Sequence, residues 1–270
     1  MKKKYMISIT SSLIMIIGVV AILYTPNKAK SEHYNGPPTV FVHGYKGTSN
    51  SFGFMLKRFE NIYNWGNKGL VYHVSAEGKV QEYNLSKGNG EPMFVQVVLE
   101  DNRASFKDST EWLSNALYHM KEKYEVELIN LVGHSMGGIV SLKYVQNFNE
   151  ESYPNVHKLI TIGSPVDGIY SKDYFKVHRD AGAKDLKPGS RALDLLHDRT
   201  IPENIEVLSI GSTGDGIAVP ESVQALRSII PNEQLEEVMI ENKKLGHSAL
   251  HENRRVDKLI YAFLWQDELA

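Results

Sequence analysis

Residues 131–138 read LVGHSMGG, an apolar strand end that runs into a serine crowded by glycines. Gly133-His134-Ser135-Met136-Gly137 is a G-x-S-x-G pentapeptide. With 21 glycines in 270 residues, such a match is a weak signal on its own. Its surroundings give it content: ELINLV (127–132) precedes it as a strand, and MGGIVSLKYVQNF (136–148) follows with helical patterning. A serine on a tight strand-to-helix turn projects its hydroxyl above a sheet, and flanking glycines leave room where side chains would collide. The backbone N–H of Met136, at the helix start, is then free to bind a developing oxyanion with help from the helix dipole.

The pattern extends in both directions. TVFVHG (39–44), LVYHVSAEG (70–78), FVQVVLED (94–101), VELINLVGHS (126–135), HKLITIGSP (157–165), IEVLSIGS (205–212) and EEVMIEN (236–242) read as short buried strands. SFGFMLKRFENIY (51–63), SFKDSTEWLSNALYHMKEKY (105–124) and SALHENRRVDKLIYAFLW (248–265) carry apolar residues at helical spacing. Strands alternating with helices predict an α/β fold: a mainly parallel sheet with helices on both faces. GKVQEYNLSKGNGEP (78–92) reads as a turn-rich excursion. Residues 168–204 break the alternation, being polar and rich in both signs of charge with one short apolar stripe. Following a central strand, such an insertion covers the carboxyl edge of the sheet as a lid.

A serine hydroxyl needs a base, and the base needs an orienting acid. In a strand–turn–helix setting of this kind the chain order is Ser, acid, His. Of the histidines after Ser135, His247 in LGHSALHEN (245–253) sits between the last strand and the last helix; His251 is the weaker candidate, four residues on and inside that helix. Asp215, glycine-flanked after the strand IEVLSIGS, is the preferred acid, and Asp167 in GSPVDG, one strand earlier, is the alternative. Asp185, Asp194 and Asp198 fall in the lid and read as surface charges. FVHGYKGTSNSF (41–52) supplies a second oxyanion donor, the Tyr45 backbone N–H, with His43 bracing its loop and His134 packing under the turn.

Charge is uneven. Five lysines and no acid in residues 1–31 contribute +5 to a net charge of −2, leaving −7 for the rest. A body of that sign is a poor match for nucleic acid. MKKK followed by an uncharged stretch from Tyr5 to Asn27 reads as a signal peptide or an N-terminal membrane anchor, with AKS (29–31) as a small-residue cleavage site. This predicts export, to the medium or to the cell surface. There is no cysteine, which excludes disulfides, a thiol nucleophile and cysteine metal sites. No H-E-x-x-H or Walker motif occurs, so neither metal nor organic cofactor is expected.

With these residues assembled, the chain resembles the α/β-hydrolase superfamily: GHSMGG is similar to the nucleophile turn of bacterial lipases and esterases, and HG after an early strand to their oxyanion loop. FVHGYKGTSNSF, NLVGHSMGG, GDGIAVPES and HSALHEN with the terminal FLW together resemble bacterial cell-surface α/β hydrolases catalogued as a domain of unknown function. The resemblance spans roughly 37–266. It implies the α/β-hydrolase fold, Ser135, Asp215 and His247 as a triad, and display outside the cytoplasm. One departure is visible: that family's acid loop opens with Ser before Asp-Gly, where this chain has Gly214.

The expected activity is hydrolysis of a carboxylic ester through an acyl-enzyme on Ser135, by a monomer acting on a small-molecule or lipid ester. The alternatives are a peptidase, amidase or acyltransferase on the same residues, or a non-catalytic surface binding protein.

Overall fold

The structure, a computed structural model, describes residues 36–85, 93–148 and 150–266. The basic and apolar segment at 1–31 lies outside the described residues; among those described, no helix is long and apolar enough to cross a membrane.

Eight strands among the described residues form one sheet: β1 (Thr39–Val42), β2 (Asn67–Val74), β3 (Val80–Asn84), β4 (Met93–Leu99), β5 (Leu128–His134), β6 (Asn155–Ile162), β7 (Glu206–Ser212) and β8 (Leu235–Ile240). Their order is β3-β2-β4-β1-β5-β6-β7-β8, and every neighbouring pair is parallel except β2 with β3. The helices are α1 (Asn50–Asn61), α2 (Phe106–Tyr124), α3 (Met136–Asn147), α4 (Tyr174–Val177), α5 (Ala181–Asp185), α6 (Arg191–His197), α7 (Pro220–Gln224) and α8 (Arg254–Tyr261).

The period-two geometry of a strand sends successive side chains to opposite faces. Val40 and Val42 of β1 and Leu131 of β5 join one core with Leu113, Leu117 and Met120 of α2 and Ile139 and Leu142 of α3. Phe41 and Val132 join the opposite core with Phe52, Met55, Leu56 and Phe59 of α1 and Val256 and Ile260 of α8. The second core is built on aromatic edges. Phe41 meets Phe52, Phe59 and Phe94 at centroid distances of 5.3, 6.2 and 5.9 Å, all T-shaped. Truncating a ring buried in this way costs about 3–5 kcal/mol.

This topology creates the site. After β1 the chain turns to α1 on one face; after β5 it turns to α3 on the other. Adjacent parallel strands whose connections leave to opposite faces open a crevice at their carboxyl ends. Here that crevice lies between the β1–α1 loop and the β5–α3 turn.

Several elements differ from the sequence reading. The turn-rich excursion contains β3, an antiparallel edge strand, whose remainder at 86–92 is outside the described residues. The closing helix is three pieces: a 3₁₀ helix His247–Glu252, α8, and a π-helix Ala262–Gln266. The segment 168–204 carries three short helices, α4, α5 and α6, anchored by buried Ala183, Leu186, Leu193, Leu196 and Ile201. Asp185 is not a free surface charge: its carboxylate accepts the Phe106 N–H at 2.7 Å, capping α2 beside the Ser105 cap. Half-burial raises its pKa above the usual carboxylate value. Asp194 and Asp198 are exposed, as expected.

Candidate active site

Ser135 stands between β5 and α3 with φ 56° and ψ −128°, in the left-handed half of the map that a side chain rarely adopts. Strain of this kind persists only where surrounding structure enforces it. The enforcement is close backbone packing. A Cβ on Gly137 would lie 2.5 Å from the His43 carbonyl oxygen, and one on Gly133 would lie 2.5 Å from the Gly137 carbonyl carbon. The Ser135 N–H donates to the Ile162 carbonyl at 2.8 Å, tying the turn to β6.

Two side chains from distant segments complete the cluster. The Ser135 hydroxyl donates to His247 Nε2 at 2.8 Å, and His247 Nδ1 donates to Asp215 Oδ2 at 2.7 Å. Asp215 is 3% exposed, and its other oxygen, Oδ1, accepts the N–H groups of Ile217 and Ala218 at 2.8 and 2.9 Å. Those two bonds leave Oδ2 aimed at the imidazole. Asp167 sits elsewhere, exposed and accepting the Tyr170 hydroxyl at 2.5 Å. His251 does not reach the serine. Its ring lies edge-on to His134 at 4.7 Å, and burial lowers its pKa.

The β1–α1 loop approaches from the other side. A Cβ on Gly44 would lie 2.7 Å from both the Ser135 Cβ and the His134 carbonyl oxygen, so only glycine lets the loop backbone rest on the turn. The Lys46 N–H donates to the Asn102 carbonyl (2.7 Å) and the Gly47 N–H to the Gly44 carbonyl (2.9 Å), whereas the Tyr45 N–H has no acceptor among the described residues. The Met136 N–H is one of the donors that a helix start leaves without an internal partner. The backbone that carries these two amides meets at the serine, where a Cβ on Gly44 would lie 3.4 Å from the Met136 nitrogen.

The buried histidines are held neutral. The Leu99 N–H donates to His43 Nε2 at 3.0 Å while His43 Nδ1 donates to the Gly44 carbonyl at 2.9 Å, which braces the loop and fixes the tautomer. Burial lowers the pKa of His43. His134 Nε2 donates to the His247 carbonyl at 3.2 Å, and its ring lies 4.7 Å from that of His247. Burial, reinforced by His247 and His251, holds the His134 pKa well below the ordinary value. A neutral His134 supports His247 without adding a charge beside it. This link to His247 was not visible in the sequence, and neither was Gly163, whose φ of 55° brings its backbone under the Asp215–His247 pair.

A cavity of about 320 Å³ opens over the serine. Its walls include Tyr45, Lys46 and Ser51 from the β1 side, and Tyr174 and His178 from the 168–204 insertion. The Tyr45 hydroxyl donates to Asp180 at 2.6 Å, fastening the β1–α1 loop to the insertion; burial and that carboxylate raise the phenol's pKa. Among the described residues no cluster of three or more His, Asp or Glu could hold a metal ion.

Residues 26–267 match the family described as "Alpha/beta hydrolase of unknown function (DUF915)". No curated protein matches the sequence. Among solved structures, the lin2722 gene product of Listeria innocua is similar at 24% identity and a TM-score of 0.73, covering 86% of this chain and 95% of that one. A Lactobacillus plantarum WCFS1 protein named as a candidate cell surface hydrolase follows at 19% identity and a TM-score of 0.65, covering 87% and 92%. The mature form of Bacillus licheniformis lipase BlEst2 is 16% identical with a TM-score of 0.57, covering 86% and 94%. At these identities the likeness speaks for the fold.

Proposed function

Because this chain belongs to the family of alpha/beta hydrolases of unknown function, we propose that it is a serine hydrolase that cleaves carboxylic esters. One observation carries the reading: an unbroken hydrogen-bonded line from Asp215 through His247 to Ser135, with links of 2.7 and 2.8 Å. Ser135 attacks the ester carbonyl while His247 takes its proton at Nε2 and passes it to the leaving alcohol. Asp215 holds the Nδ1–H tautomer and stabilises the imidazolium that forms. The Tyr45 and Met136 amides receive the oxyanion, each contributing about 3–4 kcal/mol to the transition state. Water, activated by the same imidazole, then releases the acyl group.

The export reading of residues 1–31 rests on their sequence, and the name of the Lactobacillus plantarum relative supports it. In this reading the catalytic body, from about residue 37 to 266, acts outside the cytoplasm, free or held by an uncleaved anchor.

The test is turnover of p-nitrophenyl esters of graded chain length by the wild-type protein and by Ser135→Ala. Turnover by the wild type that vanishes in the folded variant supports the reading. A folded wild-type protein that turns over no ester of the series contradicts it.

A further inference from the structure

The walls of the cavity describe what can enter it. Among the residues that line it, Ile217 is the one aliphatic side chain; besides Ser135, His247 and glycines, the rest are hydroxyl-bearing, basic or imidazole side chains, Lys46 and the phenols Tyr45 and Tyr174 among them. Burying an acyl methylene is worth about 0.8 kcal/mol where the walls are apolar. This cavity has one aliphatic wall residue, and about 320 Å³ lies at the small end of the ligand-pocket range. Long acyl chains therefore find little room and little aliphatic contact.

The lining itself carries one fixed cation, Lys46, and no carboxylate. Lys46 borders the cavity and forms no ion pair among the described residues. The carboxylate facing this rim, Asp180, is already engaged: it accepts the Tyr45 hydroxyl at 2.6 Å and the Ala183 N–H at 3.0 Å, and lies 3.6 Å from the Arg103 guanidinium. His178 adds no negative charge; burial lowers its pKa first, and Lys46 and Arg103 lower it further against the opposing pull of Asp180. The backbone of Lys46 is held at φ 60° by the bond from its N–H to the Asn102 carbonyl, so its position next to Tyr45 is part of the loop's design. A positive rim in a body carrying −7 outside the first 31 residues is a local exception to the overall charge.

We propose that the substrate is a short ester bearing a negative charge, carboxylate or phosphate, which Lys46 receives while Ser135 attacks the ester carbonyl. This inference rests on the hydrolase reading above and narrows its substrate. The bond that breaks is the ester C–O; water supplies the hydroxyl of the released acid and the proton of the released alcohol, and the anionic group is unchanged.

Matched pairs of esters test it, one pair with the charge on the alcohol (p-carboxyphenyl against p-carbamoylphenyl butanoate) and one with it on the acyl part (mono-p-nitrophenyl adipate against p-nitrophenyl hexanoate). The readout is the ratio of kcat/KM for the charged ester to that for its neutral partner. In wild-type protein at low salt the ratio is expected to reach about tenfold in one pair and to shrink as salt screens the lysine. Lys46→Met, which keeps the Cβ and the backbone geometry, is expected to bring the ratio near unity, and Lys46→Glu to invert it. Neutral esters turned over as well as or better than charged ones in both pairs would overturn the proposal and leave the hydrolase reading standing. So would a charged-ester preference that survives Lys46→Met. Failure of every ester together with absence of labelling by a serine-directed probe would overturn both.

Discussion

The turn at Ser135 is held by backbone lying on backbone, whereas the insertion at 168–204 is held mainly by side chains reaching across. At the turn, Gly133, Gly137 and Gly44 allow approaches that one added carbon would forbid. The insertion has such an approach at Gly182, whose N–H donates to the Arg103 carbonyl at 2.8 Å, and is otherwise fastened by Tyr45 to Asp180, by Asp185 to the Phe106 N–H, by the Ser222 hydroxyl to the Gly168 carbonyl and by Gln146 to the Leu196 and Arg199 carbonyls. Close-packed backbone has two outcomes, fit or clash. A single hydrogen bond made by a side chain contributes about 0.5–1.5 kcal/mol. The difference separates a turn that tolerates no change from an insertion that can be rebuilt a residue at a time.

Changes on the rigid side are expected to be large. Asp215→Asn keeps the shape but can hold the wrong tautomer of His247, and kcat is expected to fall by about 10⁴-fold. Asp167→Asn is expected to change it by less than about twofold, because its carboxylate reaches Tyr170 and not His247. Equal losses in the two variants would mean that the observed hydrogen bonds do not define the acid.

Gly44→Ala brings a methyl to 2.7 Å from the Ser135 Cβ and must move the loop that carries the Tyr45 N–H. The expected loss is about 10²–10³-fold in kcat, with KM less affected. A wild-type rate in a folded Gly44→Ala protein would remove that amide from the mechanism.

Protonation provides a third, smaller contrast. Buried His43 and His134 have folded-state pKa values below the 6.5 of an exposed histidine, so the unfolded chain binds their protons first. Their contribution to stability is full above pH 6.5 and is lost as pH falls below it, by up to about 1.4 kcal/mol per pH unit for each group. Chemical denaturation between pH 7 and pH 5 should show this slope, and His134→Phe should flatten it. An unchanged slope in the variant would mean that His134 is not held neutral.

The smallest effect belongs to the insertion. Asp185→Ala removes one of two caps from the start of α2 and is expected to cost about 1 kcal/mol in denaturation, with kcat for a neutral ester retained within a few-fold. A loss of kcat as large as that of Gly44→Ala would erase the distinction between the two regions.

The same distinction governs what could be read from the chain alone. The serine turn, β1 and the strands that carry Asp215 and His247 were legible because glycine spacing and continuous apolar runs are local signals. β3 was not: Val80–Asn84 is largely exposed on both sides, so no alternation marks it, and it pairs only along the sheet edge. The short helices of the insertion were missed because each has four to seven residues, too few for a periodic pattern. Asp185 looked like one surface charge among several, since its partner lies 79 positions away. The pairing of Tyr45 with Asp180, across 135 positions, left no trace in either stretch. The residues that build the reaction geometry are thus announced locally, and those that shape the cavity are brought together only by the fold.

The most direct test of the account is labelling of the folded protein with a fluorophosphonate probe, followed by mass-spectrometric mapping of the adduct. A single adduct on the peptide containing GHSMGG, localised to Ser135 and absent in Ser135→Ala, is the predicted result. An adduct on another residue, or none on folded wild-type protein with the line from Asp215 to Ser135 intact, would contradict it.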